Sequence, residues 1–448
     1  MGTENHSPAA SSPWQAPVAS KILDASVELP GSKSLTNREL VLAALASGPS
    51  TITGGLRARD TDLMIQALEA LGATIKVDHT DGLDQWRITP ISFSSIADKP
   101  VVIDCGLAGT VMRFVPPMVL LGFQPVKFQG DEHASHRPMS GVLEGLRQLG
   151  AEVYDQGTPG LPFEVQPGGL PTTDHTITID ASASSQFVSG LLLTAPRLPA
   201  PLTIAHSGAT VPSLPHIEMT LKCLADRGVP VESDRGNQWR VTPHTIKPTD
   251  VHIEPDLSNA APFLAAALVA GGQVAIHHWP HSTTQVGGRL PELLKAFGAL
   301  VEFDGDTLMV QGAGLGPGLG LEPVSMDLGE AGELAPTLIT LSLFSNGTST
   351  FRGIAHLRGH ETNRLAALVE NITSLGGVAT ETSDGIIVTP APLHGGVWKA
   401  FGDHRMATSG ALVGLAVTGV EVDDIDQTAK TLPGFVALWS DMLRGANQ

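Results

Sequence analysis

Five stretches of the chain share one pattern, a helix end, a glycine and a short strand: LEALGATIKV, LRQLGAEVYD, LADRGVPVES, LKAFGALVEF and ITSLGGVATE. Their glycines, Gly72, Gly150, Gly228, Gly298 and Gly376, stand 78, 78, 70 and 78 residues apart. A glycine after the last helical turn is the usual left-handed cap, so a single one would mean nothing. Five at near-constant spacing predict a repeated structural unit. A sixth helix end, LWSDMLRG, brings Gly445 another 69 residues on, with no room after it for the strand that should follow. The stretch KILDASVELP, Lys21 to Pro30, reads as a strand and is expected to supply the missing one, closing the last repeat onto the start of the chain. Six units predict two domains of three, one contiguous and the other built from both chain ends. The crossovers are expected near Pro30 to Ser32 and near His252 to Pro255.

A second set of positions runs at the same period. Polar residues open apolar helices at Ser34, Thr110, Ser185, Ser258, Glu333 and His404, in steps of 76, 75, 73, 75 and 71. Equivalent helices of a threefold-repeated domain point the same way, so their N-termini gather at one end. Each brings about half a positive charge and free N–H groups, which suits anions. The first opening, PGSKSLTNR, is not a nucleotide-binding loop, because the glycine required five residues before Ser32 is Val27.

Composition narrows the function. A formal net charge of -18 argues against nucleic acid as a partner and makes clusters among only 27 Lys and Arg informative. Hydrophobic residues at 42% and aromatics at 4% favour α/β packing of small aliphatics. Residues 1–20 hold no Lys or Arg and no apolar core, and are expected to be a disordered tail, not a targeting peptide. The longest apolar run, Ala260 to Ala270, is too short to span a bilayer, so no membrane association is expected. Cys105 and Cys223 form no metal-type pair and fit a reducing compartment; a cytoplasmic protein is expected. The sixteen histidines have no metal-ligand spacing, so no metal is assigned.

Lys33, Arg38, Arg113, Arg137, His360, Arg364, His404, Arg405 and Lys430 all lie near the helix starts, in segments poor in neighbouring acids. Any one of them serves equally well as a solvated charge. Together they suit substrates carrying phosphates and carboxylates. ASASSQF offers Ser184, Ser185 and Gln186 at a helix start, which alone is as readily a cap. Glu333 before an apolar helix is either a favourable acid at a helix start or a catalytic carboxylate.

Seven motifs, PGSKSLTNR, GLAGTVMRF, HRPM, SASSQF, GHETNRL, GDHRM and TAKTLPG, stand in an order that resembles one family, the 3-phosphoshikimate 1-carboxyvinyltransferases (EPSP synthases), from about Val27 to Leu443. The resemblance implies an α/β fold of two domains, each of three βαβαββ repeats in the inside-out enolpyruvyl transferase arrangement, with a double crossover between them. The expected division is a tail over 1–20, one domain from 21–31 plus 254–448, and a contiguous domain over 32–253, with the active site in the cleft. It implies transfer of the enolpyruvyl group of phosphoenolpyruvate to the 5-hydroxyl of shikimate 3-phosphate, with release of phosphate and no cofactor. Lys33, Ser34, Arg38, Ser184, Ser185, Gln186, Ser213, Glu333 and His360 would bind shikimate 3-phosphate. Lys33, Gly109, Gln186, Arg137, Arg364, Arg405 and Lys430 would bind phosphoenolpyruvate. Glu333, Glu361 and Lys33 would be catalytic.

The resemblance further implies a monomer that closes on its substrates, and inhibition by glyphosate because Gly109 is retained. The chain has Glu333 where the family often has Asp, His360 for Lys, Asn363 for Asp, Leu107 for Asn, Phe114 for Pro and His216 for Tyr. His360 is the reason to expect activity that depends on pH near neutrality. Two other readings are the related transferase acting on UDP-N-acetylglucosamine, whose Lys-Asn pair and loop cysteine are not matched here, and a non-catalytic phosphometabolite-binding scaffold.

Overall fold

The computed structural model describes residues 12–80, 83–93, 101–122, 124–234, 237–312 and 320–445. Its helices come in pairs, one pair to each repeat. The first half carries α1 (Lys33–Leu45), α2 (Arg59–Ala70), α3 (Gly109–Phe114), α4 (Ser140–Gln148), α5 (Gln186–Thr194) and α6 (Leu214–Asp226). The second carries α7 (Leu257–Ala270), α8 (Leu290–Ala296), α9 (Ala335–Leu341), α10 (Arg364–Ser374), α11 (His404–Gly414) and α12 (Phe435–Arg444). The glycines closing the even-numbered helices all take positive φ, from +74° at Gly445 to +104° at Gly72, as the spacing predicts.

The second repeat sets the pattern. Val101–Asp104 and Val126–Gln129 pair in parallel around α3, and Phe163–Gln166 joins antiparallel, with Glu152–Tyr154 at the edge. Residues alternate buried and exposed along Val101–Asp104 and Val126–Gln129, so each sheet has one inner face. The odd-numbered helices are apolar nearly all round and lie inside: every residue of α7, α9 and α11 is buried, as is Thr36 through Leu45 of α1. Helices inside and sheets outside is the inside-out arrangement. Its apolar residues form two clusters. One runs from Leu40 to Ile253; the other combines Ala16 to Val27 with Leu257 to Met442.

Where the chain passes between the clusters, two backbone segments run side by side. Ser32 N donates to Glu254 O at 2.8 Å and Asp256 N donates to Pro30 O at 2.9 Å. Two repeats take a strand that adjoins this junction but is distant in sequence. Val251–His252 pairs in parallel with Ser50–Thr53 in the first, and Leu23–Val27 pairs in parallel with Gly272–Ile276 in the fourth.

The N-terminal strand therefore completes the fourth repeat, not the last. The last, Gly396–Trp398 with Val420–Val422, is capped instead by Trp14–Gln15, antiparallel to Val420–Val422. The expected disordered tail is corrected accordingly. Residues 1–11 lie outside the described residues, but Ala16 is 7% exposed and the backbone N–H groups of Ala16 and Ala19 donate to Val420 and Leu415. A sheet lacking its third strand offers unpaired backbone groups, and that outweighs the weak strand preference of a Ser/Pro-rich stretch.

Among buried polar groups, Arg227 is completely enclosed and donates from Nε and Nη2 to Glu39 Oε2 at 2.9 and 2.7 Å, tying the end of α6 to α1. No helix among the described residues is long and apolar enough to cross a membrane.

Candidate active site

The starts of the inner helices face one another across a cleft of about 120 Å³. From the first half come Lys33 and Ser34 at the start of α1, Gly109 opening α3, and Arg137 from the loop before α4. Ser184, Ser185 and Gln186 start α5, and Ser213 precedes α6. The second half brings Glu333, His360 and Glu361, then Arg364 at the head of α10, Arg405 in α11 and Lys430. Of the residues the sequence assigns, Arg38 alone does not line it.

Arg38 is 1% exposed and each nitrogen of its guanidinium makes one bond to protein. Nη1 donates to Ser34 O at 2.9 Å, Nη2 to His216 O at 2.9 Å and Nε to Thr220 Oγ1 at 2.8 Å. In this ligand-free arrangement these bonds give it a buttress role. Four residues after Ser34, one helical turn carries it into the bundle, not toward the helix mouth. Burial pushes it down to about 10, against the pull of nearby acids including Glu333 and Glu39.

In the second half, acids and bases interlock. Asp403 accepts from Arg364 Nε at 2.7 Å and Nη2 at 3.2 Å. Glu361 lies 3.0 Å from His404 Nδ1 through Oε2 and 2.8 Å from Lys430 Nζ through Oε1. Burial alone would raise the Glu361 carboxyl, but Lys430, His404 and Arg364 hold it well below its ordinary range. Glu361, Asp403 and His404 bring donor atoms within 4.8 Å of one another, a spacing that would suit a cation. Lys430 and Arg364 already supply positive charge there.

Glu333 projects between the halves. Its Oε1 is 3.5 Å from His216 Nε2, and its Oε2 is 3.8 Å from Arg405 Nη2. Burial pushes its carboxyl up, but contact with His216 and the charges of Arg405 and Lys33 outweigh that and leave it at about 2. Glu333 and Glu361 are thus both carboxylates near neutral pH.

The first half presents cations in excess. Arg113 donates to Pro138 O at 2.7 Å and Arg137 to Leu107 O at 2.9 Å, and the Nε of each has no partner. Burial and the neighbouring Arg137 push Arg113 well below its ordinary value, and burial lowers Arg137 likewise. Guanidinium groups crowded out of water make a site that an anion relieves. Lys33 sits 3.4 Å from Asp60 Oδ2, and its backbone N–H donates to Asp256 Oδ2 at 3.2 Å.

Burial and Arg364 push His360 well below the usual imidazole value in this ligand-free arrangement, which favours its neutral form. Burial lowers His356 to about 4 and pushes His404 down as well. All three folded values lie below the ordinary one of about 6.5. The unfolded chain therefore binds protons that the folded one refuses, and stability falls as pH drops below about 6.5, by up to about 1.4 kcal/mol per pH unit for each histidine. The melting temperature of the ligand-free protein is expected to be lower at pH 5 than at pH 7; scanning calorimetry at both would reveal an unchanged value if this is wrong.

Sequence reasoning missed Asp60, Asp256, Asp403 and His356, all at or beside the cleft. Asp403 stood inside a quoted motif, GDHRM, and Asp256 within the expected crossover, so both had a signal. His356 had none.

The family model for EPSP synthase (3-phosphoshikimate 1-carboxyvinyltransferase) matches residues 18–439. A protein named 3-phosphoshikimate 1-carboxyvinyltransferase from Kocuria rhizophila is 51% identical over 439 residues, covering 96% of each chain. One of the same name from Bifidobacterium longum is 49% identical over 440 residues, covering 96% of this chain and 98% of that one. The solved EPSP synthase from Acinetobacter baumannii superposes with a TM-score of 0.77 at 22% identity, covering 96% of this chain and 98% of that one. The enolpyruvyl transferase NikO from Streptomyces tendae gives 0.73 at 18%, covering 96% and 97%. At those identities the two structures speak to the fold, which this chain shares. A family match across nearly the whole length, with relatives about half identical from end to end, establishes that this chain belongs to the EPSP synthase (3-phosphoshikimate 1-carboxyvinyltransferase) family.

Proposed function

We propose that the protein transfers the enolpyruvyl group of phosphoenolpyruvate to the 5-hydroxyl of shikimate 3-phosphate and releases phosphate. One observation carries this reading: two ionised carboxylates, Glu333 and Glu361, stand in a single cleft among cations contributed by both halves. The hydroxyl passes its proton to Glu333 as its oxygen bonds to C2 of phosphoenolpyruvate, while C3 gains one from the Lys33 ammonium and returns it in the elimination. The tetrahedral adduct then loses a proton from C3 as the C2–O bond to phosphate breaks. Proton traffic in both directions calls for acid–base groups on either side of the reacting carbons. Cations stabilise the departing phosphate.

In this reading Ser184, Ser185 and Ser213 hold the 3-phosphate, with Lys33, Ser34, Gln186 and His360 beside them. Gly109, Arg137, Arg364, Arg405 and Lys430 receive phosphoenolpyruvate, and Lys33 and Gln186 face both ligands. The domains are residues 32–253 and residues 21–31 with 254–448, and the enzyme acts as a monomer. The test is phosphate release from phosphoenolpyruvate, with shikimate 3-phosphate in one reaction and UDP-N-acetylglucosamine in another. Release in the first alone is expected; release only in the second would overturn the reading.

A cleft this small falls below the ~300–1,000 Å³ of ordinary ligand pockets, so the halves must part to admit two substrates. Ser213 N donates to Gly329 O across it at 3.3 Å, marking the closed arrangement. Anionic substrates bridge the cations of the two halves, and the radius of gyration in solution is expected to fall when both substrates are added. An unchanged radius would count against closure.

We also propose that the protein is inhibited by glyphosate. A Cβ at Gly109 would lie 2.8 Å from Arg137 Nη2 and 2.9 Å from Arg113 Nη1. Arg113 is anchored by Pro138 and cannot retreat, so Gly109→Ala crowds the phosphoenolpyruvate wall. Overpacking of about 1–3 kcal/mol corresponds to about a 5- to 150-fold loss of inhibitor affinity. Equal inhibition of variant and parent would contradict this.

A further inference from the structure

His216 was noted in the sequence only as a departure from the family pattern, yet it is held as firmly as any residue at the cleft. It lies in the first turn of α6, after Ser213 in a left-handed conformation (φ +53°) and Pro215. Three groups clamp its carbonyl oxygen: Arg38 Nη2 at 2.9 Å, Thr220 Oγ1 at 3.0 Å and Ser189 Oγ at 3.5 Å. This is what the buried Arg38 does. The clamped turn aims the imidazole across the cleft, its Nε2 3.5 Å from Glu333 Oε1, while Arg405 faces the other oxygen. Arg405 is itself fixed by donation from Nη1 to Ser258 O at 2.8 Å. The carboxylate is thus gripped on both oxygens, by the first half on one and the second half on the other.

We propose that His216 is a positioning residue for the transfer, acting through Glu333: it fixes the carboxylate in the closed cleft and takes on the proton that Glu333 receives from the attacking hydroxyl. The inference rests on the reaction given under Proposed function. In the step, the hydroxyl O–H bond breaks as its oxygen bonds to C2. The proton passes to Glu333 and on to Nε2 of a neutral His216, leaving an imidazolium beside a carboxylate. In the elimination step, the pair returns to its starting state by passing that proton to the departing phosphate oxygen. A carboxylate held among cations is by itself a weak acceptor, and an imidazole behind it corrects that.

Glu333 and Arg405 face the imidazole from the second half, with His356 from the segment before α10. Lys33 and Arg38 lie on the α1 side, and both sense Glu333.

The experiment compares pH profiles of kcat for the parent, His216→Gln and His216→Tyr, with substrates saturating. The phosphate groups of the substrates titrate identically in all three, so the difference between profiles isolates the residue. The parent is expected to show an acid limb in kcat. Both variants are expected to lose that limb and about 10²-fold in kcat, with KM for each substrate within about threefold. A limb unchanged in His216→Gln overturns the proposal whatever the loss in rate. The second measurement needs neither folding of these variants nor turnover: the His216 ring is titrated by NMR in the parent and in Glu333→Gln. A shifted midpoint is expected, and an identical one overturns the pairing. Absence of phosphate release from the parent would instead count against the reaction itself, a separate outcome.

Discussion

Glu333→Gln is expected to bind shikimate 3-phosphate nearly as the parent does and to lose about 10²- to 10⁴-fold in kcat. The amide keeps the shape and can still accept from Arg405, but it takes no proton and leaves His216 without its acid. Binding draws mainly on other groups, so the loss should fall on turnover. Isothermal titration with shikimate 3-phosphate alongside steady-state rates separates the two. A scaffold that merely holds phosphometabolites would be unaffected by the change. Rates within threefold of the parent would remove Glu333 from the chemistry, whereas binding without turnover in both parent and variant would revive that alternative.

The second large effect concerns stability. Glu39→Gln leaves the guanidinium of Arg227 buried at 0% exposure without a charged partner, held only by neutral acceptors: the new amide oxygen, and Ser50 Oγ and Lys247 O at 3.2 and 3.3 Å. Breaking a buried pair from one side costs about 3–5 kcal/mol, because the remaining charge is neither solvated nor neutralised. Arg38, equally enclosed, loses a nearby acid as well. The urea transition reporting on the first half should move to markedly lower concentration. Removing both charges together, in Glu39→Met with Arg227→Met, should recover most of the loss, since the desolvation cost disappears with them. If the double variant is as unstable as the single one, the pair acts through packing and not through charge.

Much of the fold was legible because its signals are local. A capping glycine and a polar helix start are each decided within a few residues, and six copies of both made the repeat plain. The destination of the N-terminal strand was not legible. Leu23–Val27 alternates equally well for any sheet, and only the geometry of the crossover delivers it to Gly272–Ile276. Trp14–Gln15 escaped because two residues of strand vanish within a Ser/Pro-rich composition. At the site, motif order brought fourteen assigned residues to one cleft but could not tell a side chain at the helix mouth from one turned a full turn inward. Ser34 and Arg38 share a motif and a helix; only the packing of α6 against α1 makes one a wall and the other a buttress. The His216 and Glu333 contact was invisible for the same reason, since it exists only when two domains meet.

The strand exchange at the crossover has a cost in time during synthesis. Leu23–Val27 leaves the ribosome early, but its partner Gly272–Ile276 emerges 249 residues later. At about 5–20 residues per second, that is a wait of about 12–50 s, during which the residues between assemble the first half. The waiting segment is five residues long with three that will be buried, beside Asp24 and followed by Glu28 and Pro30. Acidic residues and a proline next to an unpaired strand discourage it from pairing with neighbouring nascent chains. This early-made strand is thus placed only after the first half has been synthesised, and the second half can complete its outer layer only after the chain has returned to its own beginning.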